Sequence, residues 1–220
     1  MSGHAPRKFH VYDETARVAR ALANGKRLEL LDLLGQAERT VEGVARAAGL
    51  GTALASAHLK SLKQGGLVAV RRDGTRVHHR LAGDDVADLC LRLRAVAVTR
   101  LADAAAAVAE QLTSAPMAVP HTDVSSRARA REILLLDVRP EVEYRAGHIA
   151  GATSAPLEAL AGRLNQFPSA PEVVAYGRDA FCGLAPEAVR ILAHHGCVAR
   201  RLDVGMLEWR LARLPVEQLG

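Results

Sequence analysis

The run SAHLKSLKQGGLV, Ser56–Val68, and the run RRDGTRVHHRL, Arg71–Leu81, decide how this chain is read. The first continues a helical pattern, Thr52–Gln64, in which Leu59 and Leu62 fall on one buried face. The second sets Asp73-Gly74 between two β-prone stretches, Leu67–Val70 and Val77–Leu81. Asp-Gly between such stretches predicts a hairpin, because both central turn positions then need positive φ. Its tip, Arg71-Arg72-Asp73-Gly74-Thr75-Arg76, is strongly basic.

Immediately upstream, Val41–Ala48 reads as a short helix with Thr40 as N-cap and Gly49 as its stop. Only Leu50 and Gly51 separate it from Thr52–Gln64, and two short helices joined by a tight Gly-containing turn are a helix-turn-helix. A basic-tipped hairpin behind that unit is a wing: the helix can enter a major groove while the hairpin lies along phosphates. Further upstream, Asp13–Asn24 and Lys26–Leu34 carry apolar faces closed by Gly25 and Gly35. Downstream, Asp85–Leu112 predicts a helix of about 42 Å if unbroken. Its stripe of Val86, Leu89, Cys90, Leu93, Val96, Ala97, Leu101, Ala104 and Val108 lies outside the compact core, so burial against a second copy is expected. Leu89, Leu93, Val96 and Leu101 are the candidate contacts of a symmetric homodimer, which would read a partly palindromic double-stranded operator.

Charge supports a polyanionic partner. Residues 1–112 carry the whole net charge of +5, whereas residues 113–220 are neutral. Between Gly51 and Arg80 stand Lys60, Lys63, Arg71, Arg72, Arg76 and Arg80 against the single acid Asp73. A focused basic patch binds nucleic acid by releasing condensed counterions, although a solvated surface can carry the same charges. At 220 residues, 49% hydrophobic and 24% charged, the chain is expected to form two globular domains and not a disordered one. Three scattered cysteines exclude a disulfide scaffold, and the longest wholly apolar run, Ala104–Ala109, is far too short to span a bilayer. With no signal-like segment in Met1–Tyr12, a soluble cytoplasmic protein without a membrane partner is expected.

The two opening runs closely resemble the ArsR family of bacterial winged-helix repressors, and the similarity extends from about Ala21 to Leu112. The resemblance implies a homodimer that leaves its operator when an inducer binds. Carried over, Thr52, Ala53, Ser56, Ala57 and Lys60 lie on the recognition helix, while Lys60, Arg71, Arg72 and Arg76 meet phosphate. Ser56 and His58 reach base edges or phosphate, or simply pack, and Lys63 and Thr75 complete the candidate DNA-facing set. Metal-sensing members use a Cys-x-Cys pair near the recognition unit, or carboxylate and His ligands on the long helix. Here Arg39–Ala47 has no cysteine, and the long helix offers Asp85, Asp88, Asp103, Glu110 and one thiol without a histidine. His78 and His79 alternate along a strand and cannot chelate together. Neither a metal site nor a cofactor is expected.

Thr113–Ser126, with Pro116, Pro120 and several hydroxyl residues, has linker composition. Beyond it, strands at Leu134–Leu136 and Glu172–Tyr176 and a helix at Leu184–His194 predict an α/β domain with a parallel sheet. The expected organisation is multi-domain: a mainly α winged helix-turn-helix with a hairpin wing over 1–112, a linker over 113–126, and the α/β domain over 127–220. LLLDVRPEVEY, Leu134–Tyr144, with GHIAGA, Gly147–Ala152, is strongly similar to the rhodanese domain, and LDVGMLEW, Leu202–Trp209, resembles its closing motif with Val204 in place of a glycine. Rhodaneses hold sulfane sulfur as a cysteine persulfide in a six-residue loop between a strand and a helix, where amide N–H groups favour a thiolate.

In this chain that loop is Gly177, Arg178, Asp179, Ala180, Phe181 and Cys182, and the first position, where rhodaneses carry the persulfide cysteine, is Gly177. Glycine has no nucleophile. Cys182 is the candidate sulfur acceptor, beside a helix N-terminus, with Arg178 favouring and Asp179 opposing its thiolate. Three readings stay open: a non-catalytic loop that binds a small anion or docks, a Cys182 that accepts sulfur or oxidant, and an engineered Gly177 in an otherwise active enzyme. The function expected is a DNA-binding transcriptional regulator, a repressor by family habit, whose second domain senses a small sulfur species or anion. The alternatives are a sulfurtransferase or persulfide carrier acting through Cys182, and a scaffold that binds DNA without sequence preference.

Overall fold

The computed structural model describes residues 5–112, 118–167 and 172–219. The chain divides into two units, Met1–Leu91 and Arg92–Gly220.

The first unit begins with α1 (Ala5–Leu22), α2 (Gly25–Gln36), α3 (Val41–Ala47) and α4 (Thr52–Gln64). Helix α1 starts eight residues before the apolar pattern announced it, and Asn24 opens α2 by accepting the Arg27 N–H at 3.1 Å. Thr40 Oγ1 caps α3 through the Gly43 N–H at 3.2 Å. Leu30, Leu31, Leu33 and Leu34 of α2 pack with Val44, Ala55, Leu59 and Leu62 to form the core. Strands β1 (Val68–Asp73) and β2 (Arg76–Leu81) then pair antiparallel, from Val68 opposite Leu81 to Asp73 opposite Arg76. The pairing runs further than the sequence suggested, so the central turn residues are Gly74 and Thr75 and not Asp73 and Gly74. Positive φ is needed only at Gly74 (φ +58°), the first central position, which is the glycine position of a type II′ turn. Arg39 adds a one-residue bridge to the hairpin, with its N–H and carbonyl bonded to those of His79 at 3.0 and 2.8 Å.

The expected helix over 85–112 is α5 (Asp84–Arg100) followed by α6 (Ala102–Leu112), interrupted at Leu101. Helical backbone bonds still cross the interruption, Leu101 to Ala97 at 2.8 Å and Ala105 to Leu101 at 3.1 Å. On α5 only Val86 and Ala87 are buried, and the division between the two units falls within this helix, after Leu91.

The second unit is built on a four-stranded, all-parallel sheet. Around it run α7 (Val124–Arg129), β3 (Leu134–Asp137), α8 (Glu141–Ala146), β4 (His148–Ile149), β5 (Thr153–Ser154), α9 (Leu157–Arg163), β6 (Val173–Tyr176), α10 (Leu184–His194), β7 (Ala199–Arg201), α11 (Met206–Leu211) and β8 (Val216–Glu217). The sheet order is β5-β3-β6-β7, with β4 and β8 paired separately. Alternation sends Leu134, Leu136 and Ala175 to the layer of α9 and α10, and Leu135, Val174 and Tyr176 to the layer of Val124, Met206 and Trp209. Both faces are covered, which explains the unbroken apolar runs of β3 and β6. Part of the expected linker belongs to this unit: Val119 bridges to Leu202, and Val124 is wholly buried.

Candidate functional site

Helix α4 buries Ala55, Leu59 and Leu62 and leaves Thr52, Ala53, Ser56, Ala57, Lys60 and Lys63 exposed, with His58 half-buried. The hairpin exposes everything from Arg71 to Val77, so Arg71, Arg72, Thr75 and Arg76 all stand at the surface. Their charges are not equivalent. Arg71 donates from Nε to Glu38 at 2.9 Å and lies 3.5 Å from Asp73, while Arg80 approaches the same Glu38 at 3.7 Å. The Glu38 carboxylate raises the Arg71 pKa further through that hydrogen bond. Lys60, Lys63, Arg72 and Arg76 have no ion-pair partner among the described residues. Sequence reasoning missed Glu38, which sits 33 residues from Arg71 and neutralises the back of the hairpin. It weighed His79 only as a chelating partner of His78; the side chain is buried, and burial pushes its imidazole pKa down.

On α5, Leu89 and Leu93 are each 39% exposed and Val96 is 58% exposed; Leu101, at the interruption, is 59% exposed. That row is an apolar stripe left exposed among the described residues. No group of three or more His, Cys, Asp or Glu side chains converges as a metal site among the described residues, and no described helix is long and apolar enough to cross a membrane.

The loop Gly177–Cys182 leaves the carboxyl end of β6 and enters α10, the place where parallel sheets hold their ligands. It is pinned from several sides. Met206 and Leu207 donate to the Gly177 and Arg178 carbonyls at 3.0 and 2.9 Å. Gly205 permits this approach, since a Cβ there would lie 2.3 Å from the Asp179 nitrogen. Arg178 forms a two-pronged pair with the fully buried Glu143 at 2.9 and 2.7 Å. The positive charge expected to favour the Cys182 thiolate is therefore engaged elsewhere.

Three of the loop's amides are engaged too. Ala180 N–H donates to Glu208 Oε1 at 3.0 Å, Phe181 N–H to Asp179 Oδ1 at 2.8 Å, and Cys182 N–H to the Asp179 carbonyl at 3.1 Å. The Arg94 guanidinium pairs with the other Asp179 oxygen. Burial, and then the charge of Asp179, push the Glu208 carboxyl above the usual range. The Glu208 and Asp179 carboxylates thus stand where an external anion would have met the Ala180 and Phe181 amides. Cys182 leans back over Gly177: a Cβ at position 177 would sit 3.1 Å from Cys182 Sγ. Asp137 and Arg139 are structural, wholly buried and paired with each other, and Tyr176 donates to Asp137 Oδ2 at 2.7 Å.

Residues 24–70 match the bacterial regulatory protein, arsR family, and residues 121–212 match the rhodanese-like domain family. The chain is 50% identical over 218 residues to the HTH-type transcriptional regulator Rv0324 of Mycobacterium tuberculosis, covering 99% of this chain and 96% of that one. It is 40% identical over 90 residues to a probable mercury resistance operon repressor of Streptomyces lividans, covering 41% of this chain and 72% of that protein. Among solved structures, the homodimeric winged helix-turn-helix DNA-binding domain Mb0332 of Mycobacterium bovis, described as a possible ArsR-family transcriptional regulator, is 50% identical. It covers 47% of this chain and 95% of its own, with a TM-score of 0.44.

Proposed function

The chain belongs to the ArsR family of helix-turn-helix transcriptional regulators, in a form that carries a rhodanese-like domain as its second half, and from that membership we propose how it works. It is a sequence-specific DNA-binding regulator. It acts as a homodimer and a repressor, with α4 in the major groove and the hairpin along the phosphates. Residues 1–112 supply DNA binding and dimerisation, and residues 127–220 form the sensory or docking domain. The observation that carries the reading is the set of exposed cations without ion-pair partners among the described residues, Lys60, Lys63, Arg72 and Arg76, on two adjoining elements. The uncovered stripe of Leu89, Leu93, Val96 and Leu101 supports dimerisation, since two copies would bury it against each other.

The loop supports sensing or docking over turnover. Position 177 has no nucleophile, and the Ala180 and Phe181 amides already serve Glu208 and Asp179. A small sulfur species would have to act on the half-buried Cys182 itself.

Fluorescence anisotropy of the full chain on duplexes from its own promoter tests the DNA reading. The expected result is a preference of about 10³-fold or more over a scrambled duplex, and affinity that falls steeply with salt. Equal affinity for both duplexes would reduce the protein to a scaffold held by charge, and sedimentation as a monomer would remove the dimer. Release of thiocyanate from thiosulfate and cyanide, abolished by Cys182→Ser, would restore the enzyme reading.

A further inference from the structure

The hairpin and α4 enclose a space that contact with a duplex does not account for. The register pairs Val70 with His79 and Arg72 with Val77, so these four side chains share one face of the hairpin. Ser56, Leu59, Lys60 and Lys63 follow one another at helical spacing and share one side of α4. Between the two faces lies a cleft of about 530 Å³, within the size range of small-ligand sites.

Its lining divides by chemistry. Lys60, Lys63 and Arg72 are exposed, have no ion-pair partner among the described residues, and no acid stands among the lining side chains. Leu59, Val70 and Val77 are apolar, with Leu59 buried and Val70 half-buried. His79 lines the same cleft at 9% exposure, with its Nδ1 buried, so the ring belongs to the wall and not to the reachable polar groups. Duplex phosphates would meet the cations but have no use for the apolar wall.

We propose that this cleft binds a small organic anion with an apolar body: its charged head meets Lys60, Lys63 and Arg72, and its body lies on Leu59, Val70 and Val77. The consequence rests on the DNA-binding reading above. A ligand held here withdraws the same cations from the duplex, so it competes with DNA.

Calorimetric titration of the full chain with 1-naphthoate tests the site, with inorganic phosphate and the uncharged 1-naphthalenemethanol as controls. The expected dissociation constant for naphthoate is about 0.1–1 mM, with each control at least about tenfold weaker. Val77→Trp fills the cleft from an exposed position and leaves every cation in place, so it should abolish naphthoate binding and spare duplex binding. Lys63→Ala, a surface change, should weaken naphthoate several-fold. Naphthoate should also displace a labelled duplex where sodium chloride of equal ionic strength does not. Absence of naphthoate binding, binding unchanged in Val77→Trp, or phosphate binding as tight as naphthoate would each overturn the site, the last by reducing it to a phosphate seat. A chain that binds naphthoate but no duplex would keep the site and remove the DNA reading. Duplex binding without naphthoate would do the reverse.

Discussion

Lys60, Lys63, Arg72 and Arg76 stand exposed without ion-pair partners among the described residues, whereas the ionic groups around the loop after β6 are matched inside the protein. There Arg178 is held by Glu143, Asp179 by Arg94 and the Phe181 amide, and Glu208 by the amides of Ala180 and Gly205. Both regions have the residues from which proteins build anion sites. In the first the cations are left for an external partner, and in the second the carboxylates of Glu208 and Asp179 have taken the partner's place. Motif alone does not separate the two cases; the state of each charge does.

The largest effect should come from removing the unpartnered cations. Lys60→Ala, Arg72→Ala and Arg76→Ala combined should weaken duplex binding roughly 10²–10³-fold near physiological salt and flatten the log-affinity against log-salt slope by about 2–3. Arg71→Ala alone should cost less than about threefold, because Glu38 already engages that guanidinium. Anisotropy titrations over a salt series measure both. Equal losses for Arg71→Ala and Arg72→Ala would break the distinction between paired and unpaired charge.

The loop makes the opposite prediction, a loss of stability instead of binding. The Asp179 side chain is 2% exposed, and Asp179→Ala leaves the Phe181 N–H and the Arg94 guanidinium without it. A loss of about 2–3 kcal/mol is expected in the second unit, with duplex affinity unchanged. Trp209, the single tryptophan and buried in that unit's core, reports it by fluorescence in urea unfolding. A loss below about 0.5 kcal/mol would mean the loop holds its charges as loosely as the hairpin does.

Local signals explain why the sequence carried so much of the fold. The bounds of α4 and α10 follow from apolar spacing and flanking glycines, and β3 and β6 from short apolar runs, all features of neighbouring residues. Helix α1 begins earlier than its pattern because the stretch before Asp13 shows no apolar periodicity. The charge state of each site was not legible, because its determinants are tertiary. Glu38 reaches Arg71 across 33 residues, Glu208 reaches Ala180 across 28, and Glu143 reaches Arg178 across 35. The burial of His79 depends on tertiary packing around β2 and the Arg39 bridge, which no spacing of histidines reveals.

Releasing a paired charge should sharpen the contrast from the other side. Glu38→Gln removes the counter-charge from Arg71 and Arg80 at the back of the hairpin, and duplex affinity should rise about two- to fivefold at low salt, with the gain fading as salt screens it. The same anisotropy assay checks it. An unchanged affinity would place the Arg71 face away from the duplex and restrict DNA contact to the side of Arg72.

The smallest effect is a pH dependence specific to the loop. Burial, followed by the nearby Asp179, raises the Glu208 carboxyl above its ordinary value of 4.5, while the Ala180 and Gly205 amides pull it part of the way back. A carboxyl raised on folding means that the folded protein holds its proton more tightly than the unfolded chain does. Its contribution to stability is therefore fully present below the ordinary value and is lost as pH rises through the raised one. Other carboxylates titrate over the same range, so the expected signal is a difference. Between pH 4 and neutrality the unfolding midpoint of the native chain, followed at Trp209, should fall relative to that of Glu208→Gln by about 1–3 °C. A difference that does not change with pH would mean that Glu208 binds its proton equally in the folded and unfolded chain. In that case the amides of Ala180 and Gly205 offset its burial, whereas a midpoint that rises relative to Glu208→Gln would mean they outweigh it.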